Sequence, residues 1–298
     1  PAPVHNTAPG KENMTGKKHP LILLLLALLF IGMGGALSIL VKFGLEFSGI
    51  KESIPGRFIQ LSSQIILISW FYGMYRRKFE GTGLQADYPP GKALRHILLG
   101  LLMGTAMISL LVGILFITGG YTVTGSGFSP EILKYLFLML LIGFLEELIT
   151  RGVIFRLVEK WAGSLVALAV VSVEGALTHA TNPNSTLWTS VAVGLEFGVF
   201  VTLVYMATRN LWTVSALHFA WNFTMGGIFG INVSGTDAAG LLQGETSGPV
   251  WLTGGEFGLE AGMPAVLLTT IVSVLILIKL KKNGSLLQSR RTRLSGIS

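Results

Sequence analysis

The sequence predicts an all-α membrane protein, a polytopic helical bundle with about eight transmembrane helices. Of its 298 residues, 51% are hydrophobic and only 12% are charged, whereas soluble domains carry about 25% charged residues. The apolar residues also fall into blocks of about 18 to 24, enough for a helix to cross the ~30 Å hydrocarbon core. Helices are expected because each must satisfy its own backbone polar groups in lipid.

The apolar blocks are separated by residues that favour turns, among them Pro55-Gly56, Pro89-Pro90-Gly91, Gly119-Gly120 and Asn182-Pro183-Asn184. Eight spans are therefore expected, at residues 20–41, 58–75, 94–117, 131–152, 163–180, 187–207, 211–231 and 263–280. We expect residues 20–280 to form a single membrane domain. Residues 1–19 are predicted to be a polar, disordered cytoplasmic tail, and residues 281–298 a basic cytoplasmic tail.

The net charge of +7 and the pI of about 9.7 do not indicate a nucleic-acid partner, because the basic residues lie mainly at the ends of apolar blocks. Loops 118–130 and 232–262 contain no Lys or Arg, and loop 42–57 is an exception with three. The positive-inside rule therefore places both termini in the cytoplasm of a multi-pass protein of the cell membrane. The basic residues assigned to the cytoplasmic side are Lys17, Lys18, Arg76, Arg77, Lys78, Lys92, Arg95, Arg156, Lys160, Arg209, Lys279, Lys281, Lys282, Arg290, Arg291 and Arg293.

Polar side chains inside the predicted spans are the candidates for function, because a charge near the bilayer centre costs at least ~2.5 kcal/mol. They are Glu146, Glu147, Arg151, Glu174, His179, Glu196, His218 and Asn222. With zero cysteines the chain has no disulfide, thiolate metal site or cysteine nucleophile. The sequence alone indicates no role for Glu174 or Glu196.

Helical spacing separates the two adjacent acids of the fourth span. Glu146 and Glu147 project about 100° apart, and Glu147 stands four residues before Arg151, the favourable order for an ion pair. Glu147 and Arg151 are therefore expected to be structural, with Glu146 facing another neighbour. The alternative is that this cluster only marks the end of the span.

His179 and His218 could have structural roles, as packing or helix-end residues that are hydrogen-bonded to backbone carbonyls. His218 and Asn222 lie one turn apart on one helix face, however, and could donate hydrogen bonds to an oxyanion. Glu146 with His179 could then deprotonate a water molecule and later protonate a leaving amine. Because Glu146 is expected nearer the cytoplasmic side than His179, they meet only if the fourth helix continues past Arg151 or the fifth span is displaced.

These segments resemble the CPBP intramembrane protease family, which includes type II CAAX prenyl endopeptidases and relatives linked to bacteriocin processing. The EExxxR motif is intact at residues 146–151 and the HxxxN motif at residues 218–222. The FxxxH motif is partial, since His179 is present but Gly175 replaces the usual Phe. The resemblance covers about residues 131–231. Because Gly175 replaces a packing residue and not a reacting one, the resemblance predicts the chemistry of the pocket better than its shape.

The resemblance implies an endopeptidase that hydrolyses a peptide bond of a membrane-associated protein or peptide, and prenylated substrates are one branch of the family. It implies Glu146 and His179 as the water-activating pair, and His218 and Asn222 as the oxyanion residues. A glutamic mechanism without cofactor is preferred, because no HExxH motif occurs at any of the five histidines. A zinc site formed by Glu146, His179 and His218 is the alternative.

Two other classes of function remain open. The same residues could form a proton or ion path in a transporter, although no inverted repeat is visible in the sequence. A non-catalytic membrane scaffold or immunity factor on the same fold is the other alternative, which Gly175 in place of Phe supports and the intact EExxxR and HxxxN motifs oppose.

Overall fold

The computed structural model describes residues 19–290 and residue 292. The predicted N-terminal tail lies outside these residues except for His19, and so do Arg291 and Arg293 of the basic tail. The described chain is a helical bundle with one two-stranded sheet. Its α-helices are α1 (Pro20–Phe47), α2 (Ile54–Glu80), α3 (Ala93–Ile117), α4 (Pro130–Glu147), α5 (Arg156–Ala162), α6 (Ser164–His179), α7 (Leu187–Val193), α8 (Thr202–Thr208), α9 (Leu211–Asn222), α10 (Val250–Thr253) and α11 (Met263–Lys282).

Three π-helical segments join or extend these helices. The first (Leu148–Phe155) links α4 to α5, the second (Gly194–Val201) links α7 to α8, and the third (Phe223–Ile228) extends α9. Short 3₁₀ turns occur at Leu84–Ala86, Pro90–Lys92, Gly255–Phe257 and Leu259–Ala261. The fourth helical segment therefore continues past Arg151 to Ala162, which is one of the two conditions under which Glu146 and His179 could meet.

Side-chain caps fix the starts of several helices. The Ser53 hydroxyl accepts a hydrogen bond from the Gly56 amide at 3.1 Å, and Ser129 accepts one from the Glu131 amide at 3.2 Å. The Asn210 carboxamide caps α9 through the Trp212 amide at 2.9 Å. These bonds satisfy amides that have no partner within the helix, and they lie close to the starts of the predicted apolar blocks.

Each of the eight predicted spans coincides with a helical segment, but the count of eight spans is not confirmed. Four segments in the described chain are long and apolar enough to cross a membrane: Pro20–Phe47, Leu84–Ile117, Leu187–Thr208 and Met263–Lys282. The others are shorter or more polar; α6, for example, has 16 residues and is about 24 Å long. The chain is nevertheless a membrane helical bundle, and its span count stays a prediction.

Small residues let the helices pack closely, as is common in membrane bundles. A Cβ added at Gly104 of α3 would lie 2.8 Å from the Trp221 amide nitrogen of α9. A Cβ at Gly34 of α1 would lie 2.8 Å from the Ile68 Cα of α2. The first of these contacts lets α9, which bears His218, pack closely against α3.

Polar residues gather at opposite ends of the bundle. At one end Glu80 pairs with Arg156 at 2.5 Å and Arg209 pairs with Glu159 at 2.5 Å, so three loops predicted to be cytoplasmic lie together. At the other end β1 (Tyr121–Ser126) pairs antiparallel with β2 (Leu242–Thr246). This sheet, which the sequence did not reveal, joins the two loops that contain no Lys or Arg.

Candidate active site

The three π-helical segments lie beside the motif residues. Glu147 is the last residue of α4 and Asn222 the last residue of α9, and each precedes a π-helical segment. The second segment contains Glu196 and Phe197. π-Helical turns are rare and often occur at functional sites, so their positions support the choice of these helices as the candidate site.

A cavity of about 350 Å³ lies among the end of α4, the first π-helical segment, α6 and the second π-helical segment. Glu146 and His179 both line it, so the structure places the predicted water-activating pair at one cavity. The full lining is Glu146, Ile149, Thr150, Arg151, Val171, Glu174, Gly175, Thr178, His179, Asn182, Phe197 and Gly198.

The predicted ion pair between Glu147 and Arg151 is present. Oε1 of Glu147 lies 2.8 Å from Nη1 of Arg151, and both side chains are almost fully buried. Arg151 also donates from Nε to the Thr202 hydroxyl at 3.2 Å and from Nη2 to the Phe197 carbonyl oxygen. The guanidinium thus ties the fourth helical segment to the second π-helical segment across the site.

Glu147 has a second partner that spacing alone did not predict. Its Oε1 lies 2.9 Å from Nδ1 of His218. Because a carboxylate oxygen accepts, Nδ1 of His218 carries the hydrogen, and Nε2 is turned toward Glu146, whose Oε2 is 3.9 Å away. Glu147 therefore orients a motif histidine as well as neutralising Arg151.

The two acids differ sharply in exposure, as their different helix faces predict. The side chain of Glu146 is 43% exposed, whereas that of Glu147 is 0% exposed. Glu146 can therefore meet water and substrate, and Glu147 cannot. Two adjacent residues thus differ in environment: the carboxylate of Glu146 lies in the cavity, and that of Glu147 is buried.

His179 ends α6, and its Nδ1 lies 3.0 Å from the Gly175 carbonyl oxygen. A carbonyl oxygen can only accept, so this contact places the hydrogen on Nδ1 and leaves Nε2 as the basic nitrogen. Within the partial FxxxH motif, His179 is therefore held by the backbone carbonyl of Gly175. An aromatic residue at that position would offer the same carbonyl.

His218 and Asn222 are buried one turn apart on α9, with 3% and 5% of their surface exposed. Neither lines the cavity. The Phe197 ring, which does line it, packs against His218 with ring centroids 4.5 Å apart. His218 therefore lies behind Phe197 and approaches the cavity through its contact with Glu146.

Further polar residues reach this region; the sequence singled out Glu174 and Glu196 without a role and did not single out Glu260. Thr150 donates to Oε2 of Glu174 at 3.3 Å inside the cavity. Glu196 is buried, and neither of its carboxylate oxygens has a hydrogen-bond partner among the described residues. Glu260, which accepts from the Ser234 hydroxyl, is also fully buried although it belongs to a loop. An acid in a Gly-rich loop is ordinarily exposed, so nothing in the sequence singled out Glu260.

A catalytic metal ion at this site would need about three ligating side chains that converge on one point. Among the side chains that the structure describes, no group of three His, Asp or Glu is placed to hold one metal ion. The Nδ1 contacts of His218 with Glu147 and of His179 with a backbone carbonyl leave Nε2 of each ring available, so the ring nitrogens alone do not decide against a metal. The described side chains of the alternative zinc set, Glu146, His179 and His218, are not brought together around one point, and no step below is routed through a metal.

Comparison with known families assigns the segment that bears the site. Residues 128–224 match the family model described as Rce1-like, type II CAAX prenyl endopeptidase Rce1-like. No curated protein and no solved structure matches the chain. The matched residues include Glu146, His179, His218 and Asn222. The match confirms the resemblance to this family that was drawn from the motifs.

Proposed function

We propose that the chain is an intramembrane endopeptidase of glutamic type that hydrolyses a peptide bond of a membrane-associated protein or peptide. The observation that supports this most directly is that two motif segments meet at one cavity and the third lies directly behind it. Glu146 and His179 line it, and His218 lies 3.9 Å from Glu146. The family match at residues 128–224 supports protease activity in the same segment.

In this proposal Glu146 and His179 activate the attacking water. Glu146 is the exposed carboxylate of the pair of acids, and Nε2 of His179 has a lone pair available because Nδ1 faces the Gly175 carbonyl. A water held between them loses a proton to this pair while its oxygen bonds to the carbonyl carbon of the substrate. The same pair returns the proton to the amine nitrogen as the carbon–nitrogen bond breaks.

His218 and Asn222 stabilise the tetrahedral oxyanion. Glu147 holds Nδ1 of His218, so Nε2 donates to the oxyanion only when the ring carries both protons. The Asn222 carboxamide, one helical turn away, is the second donor. Groups fixed in advance by buried partners act strongly on developing charge because they need no reorganisation.

The substrate is proposed to enter from the bilayer, and a prenylated segment is one option that the family match makes reasonable. The cavity has apolar walls at Ile149, Val171 and Phe197 as well as its polar groups. We also propose that residues 20–280 form one membrane domain with both termini in the cytoplasm. The roles proposed for the site residues do not depend on the route of substrate entry or on the topology.

The test is cleavage of a peptide library by the purified full chain, with the wild type beside Glu146→Ala. We expect the wild type to cleave a subset of peptides, the variant to cleave none, and activity to survive dialysis against chelators. Stoichiometric zinc, with activity lost on its removal and restored on its return, would contradict the metal-free mechanism. Equal cleavage by both proteins would contradict the role of Glu146.

A further inference from the structure

Glu174 is a cavity carboxylate for which the proposed reaction has no use. It lies on α6, five residues before His179, and lines the same cavity as Glu146. Oε2 accepts a hydrogen bond from the Thr150 hydroxyl at 3.3 Å, which fixes the carboxylate against the first π-helical segment. The cavity therefore holds a second, anchored acid beside the candidate water-activating pair.

Nothing in the described part of the chain neutralises this carboxylate directly. Arg151 is the one Lys or Arg in the cavity lining. Its nitrogens are engaged by Glu147, by the Thr202 hydroxyl and by the Phe197 carbonyl oxygen. No ion pair of Glu174 within 4.0 Å exists among the described residues, whereas Glu147 on the facing helix has two.

The space next to Glu174 is open and partly apolar. Gly175 and Gly198 contribute no side chains to the lining, and a Cβ at Gly175 would be in ordinary contact at 3.7 Å from the Gly198 nitrogen. Ile149, Val171 and Phe197 supply apolar walls. Such a surface suits the methylene stem of a Lys or Arg side chain. The charged group at the tip of that side chain would then need an acceptor, which the Glu174 carboxylate provides.

We propose that Glu174 forms a specificity subsite for one basic side chain of the substrate peptide, next to the bond held at Glu146. An anchored carboxylate in a partly apolar cavity is costly while unpaired, and a cation that arrives with the ligand removes this cost. The substrate class is thus an apolar peptide segment bearing a Lys or Arg near the scissile bond. This inference rests on the proposed function for the position of that bond.

Glu174 rather than Glu146 is the acid for this subsite because their partners differ. Glu146 faces Nε2 of His218 at 3.9 Å and has His179 in the same cavity, so its surroundings suit proton transfer. Among the residues that the structure describes, Glu174 has only a neutral hydroxyl as its side-chain donor. A neutral donor leaves the negative charge of Glu174 available to a ligand.

The experiment measures binding by the full chain in detergent, separately from cleavage. The probes are short fluorescent apolar peptides in which one Lys is moved through every position, and a matched set with norleucine, which has the same stem without the charge. Affinities are compared for the wild type, Glu174→Gln, Thr150→Val, Glu146→Gln and Glu131→Gln. Glu131 is an acid outside the cavity that pairs with Lys134, and each variant's melting temperature shows that it is folded.

For the best position we expect the wild type to bind the Lys peptide about tenfold more tightly than the norleucine peptide, the effect of one hydrogen-bonded charge. Glu174→Gln should remove most of this ratio, Thr150→Val should reduce it, and Glu146→Gln and Glu131→Gln should keep it. Equal or absent binding of both sets by the wild type, a ratio that survives Glu174→Gln, or one lost only in Glu146→Gln would overturn the subsite. A Lys preference in binding without any cleavage would contradict the proposed function and leave the subsite standing.

Discussion

Oε1 of Glu147 lies 2.9 Å from Nδ1 of His218 and 2.8 Å from Nη1 of Arg151. One buried oxygen therefore joins the EExxxR helix to the HxxxN helix. The second acid of the first motif is a positioning residue for the histidine of the last motif, in addition to being the ion-pair partner of Arg151. This contact explains why the two acids of the motif are separated into an exposed and a buried environment.

We predict that Glu147→Gln clearly lowers the melting temperature, whereas the molecules that remain folded keep most of their turnover. The change leaves Arg151 charged and buried without its carboxylate, and removing one partner of a buried pair costs about 3–5 kcal/mol. Gln keeps an oxygen that can accept from Nδ1 of His218. The measurement is the melting temperature in detergent together with activity per folded molecule.

The double variant Glu147→Gln with Arg151→Met is the control for this prediction. Neither partner is then charged, so part of the lost melting temperature should return. A double variant less stable than Glu147→Gln alone would show that Arg151 acts mainly through Phe197 and Thr202. A well-folded but inactive Glu147→Gln would assign Glu147 to the chemistry.

Two glycines in the α6 contact provide a matched pair of substitutions. A Cβ at Gly198 would lie 2.5 Å from the Ser172 Cα, whereas one at Gly175 would lie 3.7 Å from the nearest atom. We expect Gly198→Ala to cost about 1–3 kcal/mol because backbone must move. Gly175→Ala should be neutral or slightly stabilising, because Ala has the higher helix propensity. Equal melting temperatures for the two variants would argue against close packing of α6 on the second π-helical segment.

A third prediction concerns acid stability at the end of the bundle opposite the sheet. Glu80 is buried at 6% exposure between Arg156 and Arg76, at 2.5 and 2.7 Å. Burial acts to raise the pKa of the Glu80 carboxyl, but the hydrogen bonds and charge of Arg156, with the charge of Arg76, lower the pKa well below its usual range. Because the pKa in the folded chain lies below that of the unfolded chain, about 4.3, this group stabilises the fold above that pH, and the contribution is lost as the pH falls.

We therefore expect Glu80→Gln to have a clearly lower melting temperature than the wild type at pH 7, and the gap to narrow below about pH 4.3. Glu256, an exposed acid, supplies the control variant Glu256→Gln, which should follow the wild-type curve throughout. A gap of constant size from pH 7 to pH 3 would show that Glu80 does not stabilise the fold as a carboxylate.

The sheet at the other end makes the predicted topology testable. β1 and β2 pair, so the loops that contain them lie on one side of any membrane that the bundle crosses. Since the chain has zero cysteines, single cysteines at the exposed Val123, Leu241 and Thr82 can be labelled in intact cells with a membrane-impermeant maleimide. We expect labelling at Val123→Cys and Leu241→Cys and none at Thr82→Cys. The reverse pattern would place the termini outside.

The parts of the fold that depend on local sequence were predictable. Blocks of apolar residues and turn residues determine where helices begin and end, so each of the eight predicted segments coincides with a helical segment. Within the described residues, four of them have the length and hydropathy of a membrane span. The Glu147–Arg151 pair follows from spacing on a single helix. The position of Glu146 on another face follows from the same geometry.

The remaining features depend on residues distant in sequence. β1 and β2 are separated by more than a hundred residues, and their short polar strands resemble ordinary loop. The π-helical winding around Phe197 and the contact of Glu147 with His218 depend on how helices pack against each other. Glu260 becomes buried only because its loop folds back onto the bundle. No local pattern encodes these placements.

The most direct test of the account is the initial rate of peptide cleavage per folded molecule for Glu146→Gln beside the wild type and Glu131→Gln. Gln keeps the size of Glu146 and removes the base, and the half-exposed position should leave the melting temperature unchanged. We predict a loss of at least ~10²-fold for Glu146→Gln, the low end for a general base, with Glu131→Gln at the wild-type rate. A folded Glu146→Gln protein that cleaves at the wild-type rate would contradict the proposed mechanism.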